Sequence, residues 1–177
     1  AANQLQLSRY LQRFFDKRYK PWAQSLYNVH VNPTQITRTS RYAADNELSR
    51  AVIEHGLRRL ANKDAAAAER AWHGYRNSHS FSTAVQGALD DAILIGRAND
   101  GVFPTDRPSE IGPALALGMS QAAVAQRNWS EAYFWIEQLA EDDLSSNRWQ
   151  YWFARALATT HLHSERARLT YRALAEK

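Results

Sequence analysis

NRWQYWFARALATTHLHSERARLTYRALAEK, residues Asn147 to Lys177, reads as two amphipathic helices joined by a turn. In its first half Trp149, Trp152, Phe153, Ala156 and Leu157 recur at separations of three and four. That spacing gathers them on one helical stripe, while Arg148, Gln150 and Arg155 fall mostly off it. In the second half Ala167, Tyr171 and Leu174 stand at 0, +4 and +7, and the run from Thr159 to Ser164 breaks the pattern between the halves and offers a helix start. A helix pair of this length cannot bury its apolar face alone, so stacked neighbours are expected.

The same 0, +4, +7 spacing of a small residue followed by two large ones occurs at Ala132, Ile136 and Leu139, and at Ala68, Trp72 and Tyr75. Ala132 and Ala167 are 35 positions apart, a bihelical-repeat period, and Ala68 lies 64 positions before Ala132, near two shorter periods. The small residue lets the second helix of a pair approach the first, and the larger two fill the groove toward the next pair. The fold class expected is therefore all-α: an α-solenoid or superhelix of antiparallel helix pairs, tetratricopeptide-like, with residues 1–177 as one helical domain.

Outward from these trios the chain supplies further helices. Leu7, Tyr10, Leu11, Phe14 and Phe15 predict one over Leu5 to Tyr19, ending before Pro21, and Trp22, Leu26 and Tyr27 predict a short second one. Asn28 to Thr39 leaves loop, extended chain or a short helix after Pro33 open. Asp45 or Asn46 caps a helix through Leu48, Val52, Ile53, Leu57, Leu60 and Ala61, and Asp64 caps the next. Gly56 within the first of these weakens it by about 1 kcal/mol or lets a neighbour approach. Another helix is expected from Ser80 to about Gly96. The loop 98–109, with Asn99-Asp100-Gly101 and Pro104 to Pro108, is a candidate hinge. A helix from Ser109 follows, its start delayed if Gly112-Pro113 so dictates. Arg127-Asn128 then turns the chain into a helix from Ser130 to Ala140, Glu141-Asp142-Asp143 ends that pair, and Ser145 or Ser146 caps the helix that carries Trp149.

Composition narrows the function classes. The 177 residues are 45% hydrophobic, enough for a sizeable core, yet no apolar run nears the roughly 20 residues of a membrane span. The start AANQLQLSRY has no signal-peptide pattern, so in an exported protein this would be a mature or trimmed fragment. With no cysteine there is no disulfide framework, cysteine metal site or thiol nucleophile. A net charge of +4 could favour anionic partners, but the basic residues are scattered among acidic ones rather than forming a stripe, so nucleic acid is not expected. Neither a Gly-x-Ser-x-Gly elbow nor a P-loop occurs. His161-x-His163 falls in a turn and reads as a poor metal pair. Asp90-Asp91 and Glu141-Asp142-Asp143 are adjacent along a helix and point apart, so they read as solvated charge rather than an opposed glycosidase pair. No cofactor is called for.

The run Trp149, Tyr151, Trp152, Ala154, Arg155, Ala156, Leu157, followed by a turn and a helix ending YRALAE, resembles the N-terminal helical domain of the bacterial soluble lytic murein transglycosylases. Gly56 to Ala61 and Ala68 to Trp72 are similar in character to other helix pairs of that superhelix. The resemblance implies a periplasmic parent enzyme that cleaves the bond between N-acetylmuramic acid and N-acetylglucosamine without water, leaving a 1,6-anhydro end. In the family one glutamate of a C-terminal lysozyme-like domain does this, in a Glu-Ser-x-Phe motif ahead of Gly-Leu-Met-Gln. This chain has no Glu-Ser dipeptide, and Leu117-Gly118-Met119-Ser120-Gln121 has the wrong order. The catalytic domain is thus not expected here, and the chain reads as a non-catalytic scaffold and substrate guide. Peptidoglycan strands, reached through the missing domain, and other cell-wall proteins are the implied partners.

The six tryptophans carry the remaining ambiguity, since aromatic faces stack on sugar rings and Arg grips acidic groups. Trp72, Trp149 and Trp152 lie on buried stripes and are expected to pack helices together. Trp22, Trp129 and Trp135, with Arg127 and Arg148, are the candidates for glycan contact. The alternative function is a freestanding tetratricopeptide-like adaptor that binds a protein segment.

Overall fold

The computed structural model describes residues 20–160 and 164–175, apart from the side chains of residues 20, 164, 166, 174 and 175. The helix expected over Leu5 to Tyr19 and the pair His161 and His163 lie outside the described residues, as does the Leu174 side chain. Among the described residues every regular element is helical, in keeping with the all-α expectation. The chain divides into two compact units, Ala1–Gly96 and Arg97–Lys177.

The first unit contains α1 (Lys20–Val31), two 3-10 turns (Pro33–Thr37 and Thr39–Tyr42), α2 (Glu47–Ala61), α3 (Ala65–Ser78) and most of α4 (Thr83–Asn99). α1 is longer than expected because Trp22, Leu26 and Val29 continue one apolar stripe, with Val29 fully buried. After it the chain takes the short-helix alternative. Ile36 in the first 3-10 turn is buried against α2 at Gly56, where a Cβ would stand 3.0 Å from the Ile36 side chain. Gly56 therefore serves close approach. Tyr75 of α3 donates its hydroxyl to the Ile36 carbonyl at 2.8 Å, closing the wedge from the other side.

Caps explain the helix starts. Asn46, not Asp45, accepts from the Ser49 N–H at 2.9 Å, and Asp64 accepts from Ala67 at 2.9 Å. Asp45 instead receives Arg50 at 2.5 Å and the Ser80 N–H at 3.1 Å. That second bond holds Ser80 outside α4, whose start moves to Thr83: Ser82 accepts from Val85 at 3.3 Å, and Gln86 reaches back to the Phe81 carbonyl at 2.9 Å. Toward the end of α4, a Cβ at Gly96 would collide with the Ala61 carbonyl, so the close seat of α4 on the end of α2 needs glycine.

The second unit contains α5 (Pro113–Ala125), α6 (Trp129–Glu137), the single turn α7 (Glu141–Leu144), α8 (Asn147–Thr160) and α9 (Ser164–Ala175). α5 packs on α6, α6 on α8 and α8 on α9. Gly112-Pro113 does delay α5, with Pro113 in its first turn. α4 and α5 end in the same way. Gly101 N–H bonds the Ala98 carbonyl and Val102 N–H that of Arg97; Arg127 and Asn128 repeat these bonds to Val124 and Ala123. Both turns need a left-handed residue, and one has Gly101 (φ 84°) where the other has Arg127 (φ 54°). Glu141-Asp142-Asp143 forms a helical turn rather than a plain reversal, its carboxylates at the end that favours negative charge. Ser146 accepts from the Trp149 N–H at 3.4 Å.

The described members of the trios occupy their expected places. Ala68, Trp72, Tyr75, Ala132, Ile136, Leu139 and Ala167 are all buried, and Tyr171 is half-buried. In the first unit the trio joins Ile53, Leu57 and Leu89 in one core, and in the second Ala132 and Ile136 join Ala116, Phe153 and Leu157 in another.

Candidate functional site

α8 buries Trp149, Phe153, Ala154, Ala156 and Leu157 and turns Tyr151 and Arg155 to solvent, since residues four apart share a helix face. Trp152 sits between the two faces, half-buried. It stacks on Trp129 of α6 with ring centroids 6.3 Å apart and planes 20° from parallel. The Arg155 guanidinium lies 5.1 Å from the Trp129 ring centre and 5.8 Å from that of Trp152, within cation–π range of both. It also donates to the Tyr151 hydroxyl at 3.2 Å. Tyr151 meets Trp152 edge-on at 5.0 Å and Tyr171 of α9 at 6.1 Å. Burial, then the neighbouring Tyr151, push the Tyr171 phenol above its ordinary value, with Arg155 opposing. Three helices thus build one aromatic cluster around a solvent-facing cation.

The residues expected to contact glycan fall in different settings. Trp129 belongs to this cluster. Trp135 does not remain open: it has no exposed surface, its indole N–H donates to Glu131 at 2.9 Å, and Arg107 lies 5.6 Å from its ring centre. Arg107 also forms two bonds to the Glu131 carboxylate, at 2.6 and 2.7 Å, and covers Phe134 at 4.1 Å, which ties the loop before α5 to α6. Trp22 is half-buried, with its N–H given to the Leu48 carbonyl at 2.9 Å. Arg127 is exposed and holds the left-handed turn, and Arg148 lies over the buried Trp149 ring at 5.3 Å. Sequence reasoning assigned Tyr151 and Arg155 to a structural run. Their i, i+4 spacing off the buried stripe was the signal that they share an exposed face.

A groove of about 750 Å³ in the second unit is lined by Leu144, Gln150, Phe153, Leu169 and Thr170, with Glu137 as its carboxylate. Glu137 is exposed and accepts the Tyr133 hydroxyl at 2.8 Å, so among the described residues the groove has no shielded carboxyl of the kind that acid catalysis of glycosidic cleavage uses. Asp90 receives the Trp72 indole at 2.6 Å and Arg76 at 3.3 Å. Burial, then Asp90, push the Asp91 carboxyl above the usual range, but it is the next residue on the same helix and does not oppose Asp90 across a cleft. Met119 and Ser120 are buried within α5. Among the described residues no three His, Cys, Asp or Glu side chains gather as a metal site, and no helix is long and apolar enough to cross a membrane.

In a search of solved structures the chain aligns with an inactive mutant of the lytic transglycosylase Slt from Pseudomonas aeruginosa, at a TM-score of 0.71 and 24% identity. The chain has the fold of part of a lytic transglycosylase. The alignment covers 99% of this chain and 29% of that one, so the chain spans under a third of its structural neighbour. The likeness suggested by Trp149 to Leu157 is thus met at the level of the transglycosylase-like helical fold. No protein-family model matches the chain, and no curated protein matches it in sequence.

Proposed function

We propose that the chain is a non-catalytic helical section of a peptidoglycan lytic transglycosylase of the bacterial periplasm, acting as scaffold and guide for glycan strands. The fold shared with part of Slt over 99% of the chain carries this reading. Two features support the non-catalytic role: among the described residues the exposed Glu137 is the groove's one carboxylate, and the sequence lacks the family's Glu-Ser motif. The partners on this reading are peptidoglycan strands and other cell-wall proteins.

The test is to incubate the purified chain with intact peptidoglycan. Retention on the polymer with no release of 1,6-anhydro ends is expected. Release of such ends by the chain alone would overturn the non-catalytic assignment, and failure to be retained would count against the guide role. The groove bounded by Leu144, Phe153 and the 63% exposed Leu169 favours a second reading, an adaptor that takes an apolar protein segment. Co-purification of a cell-wall protein lost on Leu169→Asp, without retention on peptidoglycan, would favour it.

A further inference from the structure

We propose that the Arg155 cluster is a docking site for a carboxylate-bearing glycan, with sugar rings against the Trp129, Trp152 and Tyr151 faces and the sugar carboxylate on the Arg155 guanidinium. This rests on the reading of the chain as a peptidoglycan guide and names the chemistry of the contact.

The first observation is charge. Arg50, Arg58, Arg76 and Arg107 each have a carboxylate within 3.3 Å. Arg155 has none among the described residues. Its contacts are the two indole faces and one hydroxyl, so of its five N–H donors most are left for an anion. The indoles hold the side chain without neutralising it. Less rotamer freedom is then lost on binding, and a planar fork suits a carboxylate.

The second observation is shape. The cluster offers flat aromatic surface, with Tyr151 40% exposed and both indoles partly open. None of its residues lines the large groove, which is the feature an extended or helical peptide would fill. A saccharide bearing an acid fits both observations, because its ring C–H faces suit the aromatics and its carboxylate suits the cation. In peptidoglycan the lactyl carboxylate of muramic acid is such a group wherever the stem peptide has been removed; where the peptide is attached that carboxyl is an uncharged amide.

Three soluble probes separate the sources: a tetrasaccharide of alternating N-acetylglucosamine and N-acetylmuramic acid, its neutral counterpart made only of N-acetylglucosamine, and a short acidic peptide. Titration of the full chain is followed by NMR at the indole N–H signals. The acidic tetrasaccharide should shift Trp129 and Trp152, with the neutral one binding about tenfold more weakly. Arg155→Ala should lose about the same factor while keeping its melting curve. Arg155→Lys should recover only part, having charge without the fork. Equal binding of the two saccharides, binding of the acidic peptide alone, or undiminished binding by R155A would overturn the site. Retention on peptide-stripped glycan strands that R155A leaves unchanged would overturn the site while leaving the guide function standing, whereas a wild-type chain retained neither on those strands nor on intact peptidoglycan would remove the guide function itself.

Discussion

In the first unit several large aromatic side chains are fastened by their polar tips. Tyr75 gives its hydroxyl to the Ile36 carbonyl, Trp72 its indole N–H to Asp90, and Trp22 its own to Leu48, while the buried His79 ring shares a 2.8 Å hydrogen bond with the Tyr42 carbonyl. In the second unit the aromatics are fastened largely by their faces: Trp129 on Trp152, Tyr133 on Phe153 at 5.5 Å, and arginines over Phe134, Trp129 and Trp152. Both units use the same trio of one small and two large residues to seat a helix. A tip bonded inside the core leaves nothing for a ligand, whereas a cation resting on ring faces still has donors to offer. The candidate site accordingly lies in the second unit.

The sharpest test of this contrast compares two tryptophans. Trp72→Ala removes a ring that is 2% exposed together with one of the two donors to Asp90, and should cost about 3–5 kcal/mol in denaturant unfolding. Trp152→Ala should cost clearly less, because its ring is only half-buried. Equal losses would mean that the second unit's cluster is as structural as the first unit's core. Tyr75→Phe keeps the ring and leaves the Ile36 carbonyl without its donor, an expected loss of about 1–3 kcal/mol. Tyr151→Phe, with an exposed hydroxyl, should leave the melting temperature almost unchanged.

The paired helix ends give smaller effects of opposite sign. Arg127→Gly should stabilise by about 1 kcal/mol, since a side chain at φ 54° is disfavoured, and Gly101→Ala should destabilise by about the same amount. Stabilities moving in the same direction would contradict the left-handed turns. The smallest effect concerns pH. His55 on α2 stands 3.1 Å from His30 on α1, and burial, then His30, then Arg59 lower its pKa below the ordinary 6.5. The folded state therefore binds the proton less well than the unfolded one. The stability that follows is complete above pH 6.5 and is lost as pH falls through the lowered value. In melts across that range His55→Gln should flatten the acid limb, and an unchanged slope would show that the pair does not report on folding.

Much of the scaffold was readable in order along the chain. Asp64 as a cap, the Pro113 start and the three trios follow from local rules of capping and period. Asn46 or Asp45 was undecided because both can cap, and only the long-range bond from Ser80 to Asp45 resolves the choice. The same bond shifts the start of α4, which no local propensity encodes. Trp129 was legible as a glycan candidate from residue type, and Trp135 looked equally open. They differ because Trp135 faces inward from α6 beneath Arg107 and Glu131, while Trp129 lies at the helix start beside Trp152.

By itself the sequence determined that this chain is helical, where most helices begin and end, and which stripe of each is apolar, because those properties depend on neighbours within a few residues. Tertiary structure alone decided that the 3-10 turn at Ile36 sits against Gly56 and that Gly96 lies on the Ala61 carbonyl. It also decided that Arg155 meets indoles from two helices and, among the described residues, no acid. Such meetings join residues far apart in the chain, and their energies depend on distances that no local period contains.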